Sequence, residues 1–448
     1  MKKNYFLTLL TLFTFNCLIA QTWIPVGTTA FSKGEAFSQQ LAFDGDTPYV
    51  AFMDRGNNDK ATVMKFNGTA WENVGPAGFT PDAITELSFT LIGTTPCIAF
   101  SHKSQPGKLS VMKFDGSAWV FAGSEGFIEK GSSISLAAGN GTPYLAFEDW
   151  VNKSKVSVVK LVGGSWENVG NPGFSSGYTY NKIELSVDGN TPYVAYRDYD
   201  ANYKASVMKF NGTAWELLGI QGFTDKTHDA YQCLAVKGGT PYLASWDINA
   251  NPMVYKFSGN SWEKLGVPFV TTNQVSSQSI GFDKNGILHL AFADWGNAKK
   301  ATIVKHDGTN WTVVGDAASK GGAEYISIAF SGSNIPYLAY RDNYSMRRTT
   351  VMKLDNSTKT INIESANELK VYPNPSNGLF TLDLGDIQVK KTKIEVFNSV
   401  GQIVFSQNQE FTNKMVIDLH GQENGIYFLK VTNNETVHSK AIKISRFN

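Results

Sequence analysis

Disulfide chemistry has almost nothing to work with in this sequence, which holds three cysteines in 448 residues. Cys17 sits in an apolar leader, and Cys97 and Cys233 lie in separate repeats that a closed ring would hold apart. They are expected to be two buried thiols and not a bridge, so stability must come from packing. Charge of one sign is equally scarce. Forty basic against thirty-nine acidic side chains leave a net charge of +1, which removes any overall field for nucleic acid or an anionic membrane. The six histidines are scattered, with none paired at zinc spacing. Asp44 with Asp46, and Asp198 with Asp200, fall short of a calcium loop. A serine elbow, a P-loop and a dinucleotide fingerprint are all missing, so no cofactor or metal is expected. Beyond the leader no stretch is long and apolar enough to span a bilayer.

Residues 1–20 read as an export signal: Lys2 and Lys3, an apolar run from Tyr5 to Phe15, then Leu18-Ile19-Ala20 before Gln21. The mature chain is expected to begin at Gln21. Thr8, Thr11, Thr14 and Asn16 interrupt the run and argue against an uncleaved anchor, and Cys17 lacks the small residues that precede a lipidated cysteine.

What is present is repetition. Trp23, Trp71, Trp119, Trp166, Trp215, Trp262 and Trp311 each open a W-x-x-x-G segment, and subtracting successive numbers gives 48, 48, 47, 49, 47 and 49. A second segment recurs seven times: Thr47-Pro48-Tyr49-Val50-Ala51-Phe52 in the first repeat, Ile335-Pro336-Tyr337-Leu338-Ala339-Tyr340 in the last. Four strand-like pieces per repeat at this period predict a β-propeller of four-stranded blades. Asn67-Gly68, Asp115-Gly116, Gly163-Gly164, Asn211-Gly212, Ser258-Gly259 and Asp307-Gly308 suit two-residue hairpin turns, which would set Met64 opposite Trp71. The last repeat has no tryptophan strand, and Thr22–Gly27 precedes any proline strand. Joining the two completes a seventh blade and removes the open sheet edges. The expected fold is all-β: a seven-bladed propeller over 21–356 closed by its own N-terminal strand, a polar link at 357–367, and a small β-sandwich at 368–448.

Within that sandwich, Lys370-Val371-Tyr372-Pro373-Asn374-Pro375, the Val400-Gly401-Gln402 turn and Asn424-Gly425-Ile426-Tyr427-Phe428-Leu429-Lys430-Val431 resemble the type IX secretion (Por) C-terminal sorting domain, type A. The resemblance covers Leu369–Ser445 and marks Lys370, Tyr372, Pro373, Asn374, Pro375, Gly425 and Tyr427 as its motif. It implies an Ig-like sandwich, a partner in the type IX machinery, export across a Bacteroidetes-type outer membrane, removal of the domain near the link, and secretion or surface attachment. The tail Ile444-Ser445-Arg446-Phe447-Asn448 lacks a basic cap, which leaves attachment against release open.

Candidate chemistry lies just after each proline strand, at Asp54, His102, Asp149, Asp198, Asp247, Asp294 and Asp342. Six residues later come Lys60, Lys108, Lys155, Lys204, Met253, Lys300 and Arg348. The plain reading is an ion pair or turn cap at the hairpin mouth. Trp150, Tyr199 and Trp295 follow their aspartates and Trp246 precedes Asp247, a pairing of ring and carboxylate that suits carbohydrate. The competing reading is loop packing on the blade edge. Arg55, Arg197 and Arg341 invite comparison with the three arginines that sialidases set against a carboxylate, but on the ring they are expected to be spread apart. Lys65, Lys113, Lys160, Lys209, Lys256, Lys305 and Lys353 close the third strands, diagonal to Glu72, Glu167, Glu216 and Glu263 in four blades, and read as edge solubilisation. Near-identical blades favour binding without catalysis, to a glycan or a surface protein. The alternatives are a glycan-processing enzyme of sialidase-like type and a structural surface component.

Overall fold

The computed structural model describes residues 21–225, 232–247, 249, 251–266, 274–355, 370–383, 392–399, 402–409, 414–433 and 436–446. The leader, the 357–367 link and the Val400-Gly401 turn lie outside them. The chain divides after Asn356 into two compact units.

The first unit is seven four-stranded antiparallel sheets. Blade one runs Ala36–Asp44, Thr47–Asp54, Lys60–Phe66 and Trp71–Asn73, and the following blades repeat that order. Innermost strands adjoin in sequence order, and Ala323–Phe330 of blade seven meets Ala36–Asp44 of blade one. The circle is closed as expected: Thr22–Pro25 is the fourth strand of blade seven, with Trp23 opposite Leu354 and Pro25 opposite Met352.

The W-x-x-x-G repeat is explained by one contact made seven times. Each indole N–H donates to a carbonyl of the preceding blade, from Trp71 to Val26 round to Trp23 to Val314, at 2.6 to 3.1 Å. The glycine follows that carbonyl residue, and at six of the seven, Gly266 being the exception, the neighbouring indole lies against it. A Cβ at Gly123, whose φ is +91°, would stand 2.8 Å from Trp166. In five junctions a phenylalanine stacks on the same indole, as Phe79 does on Trp119 at 3.9 Å. Closer to the axis, Ser88, Ser135, Ser279 and Ser327 accept backbone N–H groups of the next blade at 2.8 to 3.1 Å, and Gln40 does so from Phe89. Blades four and five carry Glu184 and Cys233 at this position, both also paired with the alanine of the second strand.

Three expectations are corrected. Most third-to-fourth strand hairpins have four-residue loops, because Asn67, Asp115, Asn211 and Asp307 accept the N–H groups two and three residues on. Phe66, not Met64, therefore faces Trp71, and Lys65 is directly opposite Glu72, 3.3 Å away, and not diagonal to it. Only Gly163-Gly164 and Gly259-Asn260 make two-residue turns. Cys97 is buried, which pushes its thiol up to about 12, whereas Cys233 is half-buried on the channel wall; neither forms a disulfide.

The second unit is a sandwich of a three-stranded and a four-stranded sheet. Val371, Phe380 and Leu382 of one face Ile394, Val396, Leu429 and Ile442 of the other. Alternation along each strand sends these residues inward.

Candidate functional site

The loops between second and third strands gather at one end of the ring, where the aspartates end their strands. Asp54, Asp149, Asp198, Asp294 and Asp342 are buried, and each second-strand aspartate is directly opposite Lys or Arg in register, as with Asp54 and Lys60. The carboxylates nonetheless point into the blade. Asp149 accepts Val151 N–H (3.0 Å), both nitrogens of Asn152 and the hydroxyl of Ser157 (2.7 Å). That hydroxyl accepts Gly173 N–H, tying two loops together. Asp54 and Asp198 reach Thr62 and Ser206 in the same way, and Lys60 donates instead to Pro81 O. Of the two plain readings the turn cap is the one realised, save at Asp198, whose carboxylate accepts from Ser176, Ser206 and Gln221 and from no turn N–H. Asp247, half-buried, caps its turn through Asn249 and Asn251.

His102 replaces the aspartate in blade two, and Asp82 from the preceding loop supplies the missing charge. Asp82 bonds His102 Nδ1 at 2.9 Å, and His102 Nε2 bonds Ser110 Oγ at 2.8 Å. Burial alone would raise the Asp82 carboxyl, but bonds from Ser104 and the imidazole hold it below the usual range. Serine, imidazole and carboxylate stand in the order a hydrolase uses. Ser110, however, has no exposed surface and is held by Gly126 N–H, so the line is a substitute cap.

The aromatic residues behave differently. Trp150, Tyr199 and Trp295 are 39%, 40% and 47% exposed, while Trp246 is half-buried. Trp150 and Trp295 are fixed alike, each donating its indole N–H to an inner-strand serine, Ser132 or Ser276, at 3.1 Å. Lys299 sits over the Trp295 ring at 3.9 Å. Tyr199 stacks on Tyr178 at 3.8 Å. Ser-Ser at 132–133 and again at 276–277 was the signal for these anchors, and sequence reasoning passed over it.

The arginines also depart from expectation. Blade seven abuts blade one, so Arg55 and Arg341 meet at Glu35, joined by Arg347, at 3.1, 3.4 and 3.2 Å. Arg341 also pairs with Glu324. Only Arg197 stands apart, over Tyr203.

Between the blades a channel cavity of about 480 Å³ is lined by Ser38, Gln40, Glu184, Cys233, Tyr325 and Ser327 among others, with Lys182 and Glu184 paired at 2.5 Å on its wall. Glu86, next to Leu87 of the lining, accepts Ser133 N–H at 3.0 Å. Burial pushes the Glu86 carboxyl up, and Glu148 adds to it. A carboxyl raised above its unfolded value of 4.5 keeps its proton longer in the folded state, so its contribution to stability falls as pH rises through the folded value. Glu86→Gln is expected to flatten that fall: thermal midpoints of variant and parent should converge near pH 4.5 and the variant should melt higher at pH 8. A parallel decline in both would remove Glu86 as its source. Among the described residues no group of three or more His, Cys, Asp or Glu could hold a metal ion, and no helix is long and apolar enough to cross a membrane.

In the second unit Asn374 bridges to the last strand, donating to Ala441 O (3.0 Å) and accepting Lys443 N–H (2.8 Å). Lys370 lies opposite Asp383, exposed Tyr372 receives Lys414 Nζ, and Pro373 and Pro375 are exposed beside Asn374. Gly425 pairs with Ile444, and buried Tyr427 donates to Glu423 O at 2.8 Å. This segment matches the family model described as the secretion system C-terminal sorting domain over residues 370–445. Residues 370–445 are a type IX sorting domain. The protein is accordingly exported through the type IX system to the cell surface or the extracellular space. Among curated proteins none matches the chain. Among solved structures, a polysaccharide lyase, an ulvan lyase, superposes with TM-score 0.51 at 15% identity over 73% of this chain and 95% of its own. The SapL1 lectin in complex with alpha methyl fucoside gives 0.46 at 12% identity over 66% and 100%. A point mutant of the Aleuria aurantia lectin, in complex with alpha-methyl-L-fucoside, gives 0.41 at 15% over 64% and 99%. At 15% identity the likeness to the lyase is one of fold.

Proposed function

We propose that the propeller is a binding module delivered outside the cell by its sorting domain, and that its ligand is a glycan held at the end bearing the second-to-third strand loops. The observation that carries this reading is the set of three rings, Trp150, Tyr199 and Trp295, left two-fifths to one-half exposed at equivalent places on one face. Sugar C–H faces stack on such rings. The rings, not the aspartates beside them, are the contact groups in this reading, since the carboxylates are engaged inside the blade. Weak similar sites around one ring gain by acting together on a polymer.

A glycan-array screen of the purified chain, repeated with Trp150→Ala and Trp295→Ala, tests it. Each variant is expected to weaken binding by about tenfold or more while changing stability by less than about 1 kcal/mol, as is usual for exposed positions. Unaltered binding in both would end the aromatic-loop reading. The second reading, a glycan-processing enzyme, draws on Lys182 and Glu184 of the channel lining and on Glu86 and Glu148, which interact with each other; release of new reducing ends or unsaturated products from a bound polysaccharide would favour it.

A further inference from the structure

Four inner strands carry a left-handed residue at their bulge: Ser38, Ser133, Ser277 and Tyr325, with φ of 54°, 54°, 51° and 50°. A bulky ring in that conformation is strained, and the three serines show that the bulge itself needs no ring. Tyr325 is 40% exposed all the same and lines the channel cavity. Its ring rests on the Arg341 guanidinium at 4.9 Å, which lies 4.8 Å from Phe37, which in turn lies 4.7 Å from Arg55. Arg341 is 7% exposed and so fixed behind the ring. Arg55 and Arg347 flank the same carboxylate, Glu35, from outside, with side chains 57% and 61% exposed. Glu35 and Asp59 accept three of the pair's N–H groups, and a guanidinium has five. Arg55, Arg341, Arg347 and Lys103 against Glu35, Asp59 and Glu324 leave one positive charge, four less three.

We propose that this rim between blades seven and one is the anchoring subsite and takes an anionic sugar, a uronate or a sulfate ester, its ring laid on Tyr325 and its acid group on the open edges of Arg55 and Arg347. Planar guanidinium forks suit both oxyanions. The inference rests on the glycan-binding reading and sharpens it.

Affinity electrophoresis of the full chain through polygalacturonate, dextran sulfate and unmodified dextran tests it and separates carboxylate from sulfate recognition. Retardation by at least one polyanion and not by dextran is expected. Tyr325→Ser, the residue the other bulges use, and Arg347→Gln should each weaken it by about tenfold, with unchanged melting, while Tyr325→Phe retains it. Parent-like retardation of both Tyr325→Ser and Arg347→Gln overturns the assignment. Binding confined to neutral glycans, or lost only with Trp150→Ala and Trp295→Ala, also overturns it while leaving the glycan reading intact. If no glycan binds, both fall.

Discussion

Replacing Trp23 by alanine is expected to cost about 3–5 kcal/mol, the range for removing a large buried aromatic, and to lower the thermal midpoint more than the equivalent change at Trp71. Trp23 is 7% exposed and packs with Val314, Ile326, Leu338 and Leu354. Its indole fastens blade seven to blade six through Val314 O. Its strand also completes blade seven, and Val26, three residues on, supplies the carbonyl that Trp71 uses. Like each W-x-x-x-G segment it serves two of the seven junctions, but it alone is a fourth strand paired with the far end of the repeats, so its loss also opens the ring. Trp23→Phe separates the contributions: it keeps most of the burial and should cost about 1–2 kcal/mol for the carbonyl left without its donor. Calorimetry of the three proteins decides. A melting temperature for Trp23→Ala within a degree of the parent would mean that the ring does not depend on this closure.

Asp149→Ala is expected to destabilise the propeller by about 3 kcal/mol, because four donors, the buried Ser157 hydroxyl among them, lose their acceptor together. Those donors are Val151 N–H, both nitrogens of Asn152 and the Ser157 hydroxyl. The loop that carries Trp150 is thereby released, so binding should fall as well. A residue serving only a ligand would behave in the opposite way, losing affinity at constant stability. The two roles are distinguished by measuring melting and glycan retention on the same preparation. Asp149→Asn should fall between, since one oxygen can still accept the turn N–H groups. An unshifted melt for Asp149→Ala would return the carboxylate to the ligand.

Blade number, closure and the sorting domain were legible because each depends on a pattern held along the chain: a period, a missing strand matched by an extra one, a set of motifs. Hairpin register was misread at Asn67 because a side-chain cap can lengthen a turn without changing the dipeptide that marks it. Arg55 and Arg341 were expected apart because, with Arg197, they fall on blades one, seven and four, read as spread around the ring. The same closure that was read correctly makes them neighbours, and that consequence had to be carried from strands to loops. Tyr325 gave no signal at all. Its place in a bulge depends on a slip in register between Glu324 and Ser327 that no local composition announces.

Zipping the last blade with the first strand also fixes when the molecule can become whole. During synthesis Thr22–Pro25 emerges early, yet its partner Arg348–Asp355 follows only after six complete blades. Until then the early strand is an unmatched edge, able to invade a neighbouring chain at the same stage. Folding at high concentration should therefore yield strand-exchanged dimers as its characteristic by-product, and dilution should suppress them.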